Sequence, residues 1–199
     1  MLFVKKGIYK YDKIFNGTWS NNPKPIWIFF LIAYEKKEVN EILIECLNEQ
    51  GMNDNNNNNN NKNDYLIDAC QYRNKVIIKY LVEHGADVNY KNEYGDTPLM
   101  IVCKNNNEVL IRYLVEEYRV NVNQNSLGKG PLLFLYENHN ETMIKYLVEH
   151  GANTNQTENG YCSLLMKACM DGNETLMKYL VEHGADVIIK VNILEKHHY

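Results

Sequence analysis

The phrase Tyr-Leu-Val-Glu begins at Tyr80, Tyr113, Tyr146 and Tyr179, each start lying 33 residues after the one before. A fixed period of this length confines the chain to tandem architectures, in which one supersecondary unit buries its apolar face only against its neighbours. Other columns keep the period. Asn74, Asn107, Asn140 and Asn173 each precede an apolar run such as Val76-Ile77-Ile78 or Thr142-Met143-Ile144, and three of them are followed directly by Glu108, Glu141 or Glu174. An Asn side chain accepts a hydrogen bond from an unpaired first-turn N–H, and a carboxylate beside it suits the positive end of the helix dipole, so this column marks helix starts. The helix closes at Glu83-His84-Gly85, Glu149-His150-Gly151 and Glu182-His183-Gly184, where Gly takes the left-handed conformation. Its length is about nine or ten residues.

A shorter helix lies upstream, over Leu99-Met100-Ile101-Val102-Cys103 and its counterparts Leu66-Ile67-Asp68-Ala69-Cys70 and Leu165-Met166-Lys167-Ala168-Cys169. Cys70, Cys103 and Cys169 share a column with Tyr136 and are expected to be small core residues. The polar, Gly-bearing stretch Asp87–Asp96 between one unit and the next reads as a turn or hairpin. Leu81, Leu114, Leu147 and Leu180 occupy one position of the longer helix and point into adjoining units.

Gly95-Asp96-Thr97-Pro98-Leu99, the helix pair, and His84-Gly85-Ala86-Asp87-Val88-Asn89 together resemble the ankyrin repeat, over roughly Leu31 to Val187. The resemblance implies an all-α repeat solenoid: a stack of helix-turn-helix units with connecting β-hairpin or loop fingers. This sequence departs from the family in three ways. The His that usually follows Thr-Pro-Leu is replaced by Ile67, Met100, Leu133 and Met166. Only one repeat keeps Thr-Pro-Leu itself. The third reads Glu117-Tyr118-Arg119-Val120 where others have Gly-Ala, so a local loosening is expected there.

The organisation read from these columns is an N-terminal extension, 1–24, able to cover an open end of the stack, then a repeat domain, 25–187, then a tail, 188–199. The domain divides into a degenerate repeat at 25–57, with an apolar first helix over Trp27–Tyr34, and regular ones at 58–91, 92–124, 125–157 and 158–187. The Asn-rich segment 53–63 has nothing apolar to bury and is expected to be a loop. The last unit keeps Leu176, Met177, Leu180 and Val181 as if another repeat followed, and an uncovered end of that kind favours self-association.

The balance of 25 acidic against 21 basic residues, interleaved, argues against a nucleic-acid partner. The apolar run Ile26–Tyr34 is shorter than the roughly 20 residues needed to cross a bilayer, and no secretory signal opens the chain, so a cytoplasmic or nuclear location is the default. The 5 cysteines show no Cys-x-x-Cys spacing. Cys162, in a finger, lacks an activating base nearby, and His84, His150 and His183 lie at equivalent places in separate units, too far apart for one metal ion, where helix capping accounts for them. No cofactor, metal or catalytic site is expected.

What remains is binding. In the family that this chain resembles, partners lie along the concave side, against finger tips and outward positions of the first helices. By column these are Gln71 and Tyr72; Tyr94, Asp96, Lys104 and Asn105; Leu127, Lys129, Glu137 and Asn138; and Asn159, Tyr161, Met170 and Asp171. The resemblance implies a non-catalytic module or adaptor for another protein; the alternatives are an inhibitor or regulatory subunit of an enzyme, and a fragment of a longer scaffold.

Overall fold

The computed structural model describes residues 40, 41, 44, 47, 59–126, 128–158 and 160–187. The extension 1–24, the helix read over Trp27–Tyr34, Cys46, Leu127, Asn159 and the tail 188–199 lie outside the described residues. The chain divides into two compact units, Met1–Ala86 and Asp87–Tyr199.

In the first unit, α1 (Asn59–Gln71) and α2 (Lys75–Glu83) form a helix pair. The expectation of an Asn-rich loop over 53–63 needs correction, because α1 begins at Asn59, inside it. Asn is a poor helix former, but tertiary contacts override so weak a preference. Lys62 and Asn63 are buried, and the Lys62 amine donates to the carbonyl of His84 at 3.1 Å, tying the start of α1 to the end of α2.

The second unit contains three helix pairs: α3 (Pro98–Lys104) with α4 (Glu108–Tyr118), α5 (Pro131–Glu137) with α6 (Glu141–Glu149), and α7 (Leu164–Met170) with α8 (Glu174–Glu182). The short first helices pack side by side, α5 against both α3 and α7. A two-residue hairpin, β1 (Thr157–Glu158) with β2 (Cys162–Ser163), precedes α7, pairing Thr157 with Ser163 and Glu158 with Cys162. Met100 and Leu133, which stand where the resembled family has His, are fully buried, so that position is apolar core here.

The Asn column does more than open the second helices. Two residues past the end of each first helix stands a residue with positive φ: Arg73, Asn106, His139 and Gly172, at 62, 50, 55 and 68°. The next residue is the column Asn, whose N–H closes back onto Ala69, Val102, Leu135 or Ala168, each at 2.9 Å. Its side-chain oxygen then accepts from the amide of Ile77, Leu110, Met143 or Leu176. One residue therefore seals the orphan carbonyls of one helix and the orphan amides of the next. Three of the four preceding residues hold a left-handed conformation that L side chains resist. His139 is exposed, and His139→Gly is expected to raise stability by about 0.5–1 kcal/mol, the relief of strain being partly offset by the freer unfolded chain. Urea denaturation checks this; a lower midpoint would contradict it.

The phrase Tyr-Leu-Val-Glu-His-Gly-Ala closes the second helix as a unit. Ala86, Ala152 and Ala185 donate to Leu81, Leu147 and Leu180 at 2.9, 2.9 and 2.8 Å across glycines with φ near 90°, a pattern that satisfies the last carbonyls. The rings of His84, His150 and His183 lie 4.1, 4.1 and 4.0 Å from those of Tyr80, Tyr146 and Tyr179. Each His Nδ1 reaches the carbonyl of its own Tyr at 2.7, 2.7 and 2.8 Å. A carbonyl only accepts, so Nδ1 carries the proton, and these histidines are caps. In the third repeat α4 runs on to Tyr118 and ends at Arg119 with φ 49°. The Tyr118 ring meets Tyr113 edge-on at 5.4 Å, with the hydroxyls 2.9 Å apart. The missing Gly-Ala is answered by a longer helix and an aromatic substitute for His.

Candidate protein-binding face

The finger before α3 is organised by Asn92, whose side-chain oxygen accepts the amides of Tyr94 and Asp96 at 3.0 and 2.8 Å. This internal turn leaves the Tyr94 side chain outside, with 66% of its surface exposed. The next finger locks onto it: the Ser126 hydroxyl donates to the Tyr94 carbonyl at 2.6 Å, and the Lys91 amine to the Asn125 carbonyl at 3.0 Å. Thr97 and Ser163 cap α3 and α7 through their hydroxyls, but Gly130 offers no side chain to α5. A Cβ on Gly130 would stand 1.9 Å from the amide oxygen of Gln156. Gln156, at the end of the same repeat, occupies the space a capping hydroxyl would need.

Below the tips, Asn89, Asn123 and Asn155 accept the backbone amides of Asn121, Asn153 and Asp186 in the next repeat at 2.8, 2.7 and 2.7 Å. This side-chain-to-backbone ladder fixes finger spacing and is not evident from local sequence.

The charged members of the expected face are largely paired among themselves. Asp96 is only 6% exposed and meets the Lys104 amine at 2.5 Å; it serves as the buried counter-ion of Lys104, not as an exposed contact. One repeat later the same two columns carry reversed charges, Lys129 bonding Glu137 at 2.6 Å. Lys129 also reaches Glu158 at 2.9 Å, and Glu158 reaches Lys167 at 2.9 Å, giving a four-membered chain across two repeats. The hydrogen bonds from Lys167 and Lys129 hold the Glu158 carboxyl below its ordinary range. Those to Glu137 and Glu158 hold the Lys129 ammonium above its own, and the bond to Glu158 does the same for Lys167. Asn138 donates to the carbonyls of Cys103, Lys104 and Phe134 at 3.1, 3.2 and 3.0 Å, tying α5 to the end of α3. Asp171 accepts from the Tyr136 hydroxyl, and partial burial together with this bond pushes the phenol up to about 12. Asn105 caps α3 and is half-buried.

Tyr161 and Met170, at 75% and 78% exposure, join Tyr94 as the large apolar side chains of this face that solvent reaches. In the first unit Gln71 is exposed and Tyr72 is exposed at the end of α1. Leu127 and Asn159 lie outside the described residues.

The model of the family described as ankyrin repeats (3 copies) matches residues 28–126, 89–158 and 111–191. The chain belongs to the ankyrin-repeat family. Among individual relatives, two ankyrin repeat proteins of Acanthamoeba polyphaga mimivirus are each 50% identical to it, one over 32 residues and the other over 34. Those stretches cover 16% and 17% of this chain and 12% and 26% of the relatives, about one repeat's length in each case. Ankyrin repeats are generally protein-interaction modules and typically non-enzymatic.

The thiols of this ankyrin chain differ in burial. Cys70 and Cys103 are fully buried, and burial pushes both well above the ordinary thiol range, which suppresses the reactive thiolate. Cys162, the first residue of β2, is half-buried. Cys169 corrects the sequence expectation of a uniformly buried column, for it is exposed; the same position is covered in the third repeat, and no described repeat follows the last one. Among the described residues no group of three or more His, Cys, Asp or Glu side chains is placed to hold a metal ion, and no helix is long and apolar enough to cross a membrane.

Proposed function

We propose that the chain is a non-catalytic adaptor that docks a partner protein on the finger and first-helix face of the Asp87–Tyr199 unit. The observation that carries this reading is the contrast on one face between charged groups paired with one another and three large side chains, Tyr94, Tyr161 and Met170, left in solvent. A paired charge is costly to desolvate and contributes little net affinity, whereas exposed aromatic and thioether side chains gain on burial. Tyr94, Tyr161 and Met170 are therefore the anchors, and the ion pairs, Asn105 and Asn138 form the scaffold that spaces them.

The test is capture from native cell extract by the wild-type chain and by a Tyr94→Ala, Tyr161→Ala, Met170→Ala variant whose circular dichroism and melting match wild type. A partner retained by the first is expected to lose at least about tenfold in affinity for the second, since truncating one true anchor costs about 2 kcal/mol. A partner that binds both equally sinks the assignment of this face. Where the captured partner is an enzyme, its turnover with and without the chain separates an adaptor from an inhibitor.

A further inference from the structure

On the finger and first-helix face the cations are engaged and two of the carboxylates are not. Lys104 is held by Asp96, Lys129 by Glu137 and Glu158, and Lys167 by Glu158, while the Lys91 amine is turned onto the Asn125 carbonyl of the next finger. Glu93 and Asp171 are exposed, and neither meets a cation among the described residues. Each stands beside a large exposed side chain. Glu93 directly precedes Tyr94 in the turn organised by Asn92, and Asp171 directly follows Met170 as the C-cap of α7. A carboxylate at a helix C-terminus faces the negative end of the dipole, so Asp171 gains nothing from its own helix, and its hydrogen bond from the Tyr136 hydroxyl comes from a neutral group. Both positions therefore attract a cation from outside, whereas an acidic partner would meet like charge at each end.

Glu93 and Tyr94 together offer a carboxylate beside an open aromatic ring. An arginine uses both, because its planar guanidinium stacks on a ring while its N–H groups fork onto a carboxylate. The two carboxylates lie at opposite ends of the face. The helices α3, α5 and α7 pack side by side, so the step from α3 to α7 is two interhelical distances, roughly 16–20 Å, the span of about five or six extended residues. We propose that the occupant of this face is an extended protein segment with an arginine at each end of an apolar stretch, one guanidinium on Glu93 and Tyr94, the other on Asp171, and the apolar stretch against Tyr161 and Met170. This occupant presupposes the docking face proposed above and adds to it a charge pattern.

The test is an array of immobilised peptides with varied apolar cores of about five residues, each core flanked at both ends by Arg, by Gln or by Glu. It is probed with three chains of matching melting temperature: wild type, Glu93→Gln with Asp171→Asn, and Tyr94→Ala with Tyr161→Ala and Met170→Ala. Wild type is expected to be retained about fivefold or more better by Arg-flanked than by Glu-flanked peptides with the same core, the carboxylate variant to lose that preference, and the triple variant to lose retention on all of them. Retention by wild type that is indifferent to the flanking residues, or absent from every peptide, overturns the proposed occupant. So does an Arg preference that the carboxylate variant keeps, because the attraction then comes from the net charge of the chain. In each of these cases a partner protein lost by the triple variant still supports the docking face itself; peptides retained equally by all three chains overturn the face along with its occupant.

Discussion

Leu114→Ala is expected to lower the stability of the chain by about 2–5 kcal/mol, the range for removing buried leucine methyls. Leu114 lies on α4 with no exposed surface. Leu110 and Ile111 beside it are buried as well, so the surroundings cannot readily collapse into the space left behind, and the cost should fall in the upper part of that range. Chemical denaturation of the variant checks the loss. A loss at Leu114 below about 0.5 kcal/mol would place the helix outside the core and contradict the register of the array.

Asn140→Asp is expected to cost about 1–3 kcal/mol, although Asp and Asn are equally good helix caps in isolation. The Asn140 side chain is buried and uses both ends. Its oxygen accepts from the Met143 amide at 3.0 Å, while its nitrogen donates to the Asn106 oxygen at 2.7 Å and the Glu108 carboxylate at 2.8 Å in the preceding repeat. Asn173 repeats the arrangement toward Glu141, and in the first unit Asn74 donates to Asn40 at 2.9 Å. Aspartate keeps the cap but replaces a donor with a charge facing another carboxylate. The new group ionises less readily folded than unfolded, so the folded state binds the extra proton on acidification and the deficit should shrink as pH falls into the carboxylate range. Melting curves of wild type and variant at neutral and acidic pH test the sign. Equal stability at neutral pH would mean that the column acts only as a cap.

That double role explains which parts of the molecule were legible beforehand. The helix starts at Asn74, Asn107, Asn140 and Asn173 follow from local rules and stand where the periodicity puts them. So do the glycine stops and the capping histidines. What escaped are interactions between elements that lie far apart along the sequence. The Asn89–Asn123–Asn155 ladder, the Lys129–Glu158 link and the packing of Gln156 over Gly130 depend on which side chains meet across a stack. For the same reason the column reading placed Asp96 among exposed contacts, when its partner Lys104 lies one helix length away and holds it inward. Asn59 to Asn61 show the reverse error, a local polarity signal overridden by the Lys62 anchor. Tyr94 and Tyr161 needed only their position at finger tips, and both stand in solvent.

The most direct measurement is a calorimetric titration of the captured partner into three chains: wild type, the Tyr94→Ala, Tyr161→Ala, Met170→Ala variant, and a Lys129→Ala variant shown to be folded. If the exposed side chains are the anchors and the ion pairs are scaffold, the triple variant loses at least about tenfold in affinity while Lys129→Ala changes it by less than about threefold. An affinity that collapses with Lys129→Ala and survives loss of the three tips would show that the charged chain makes the contact, and the proposed face would have to be redrawn around it.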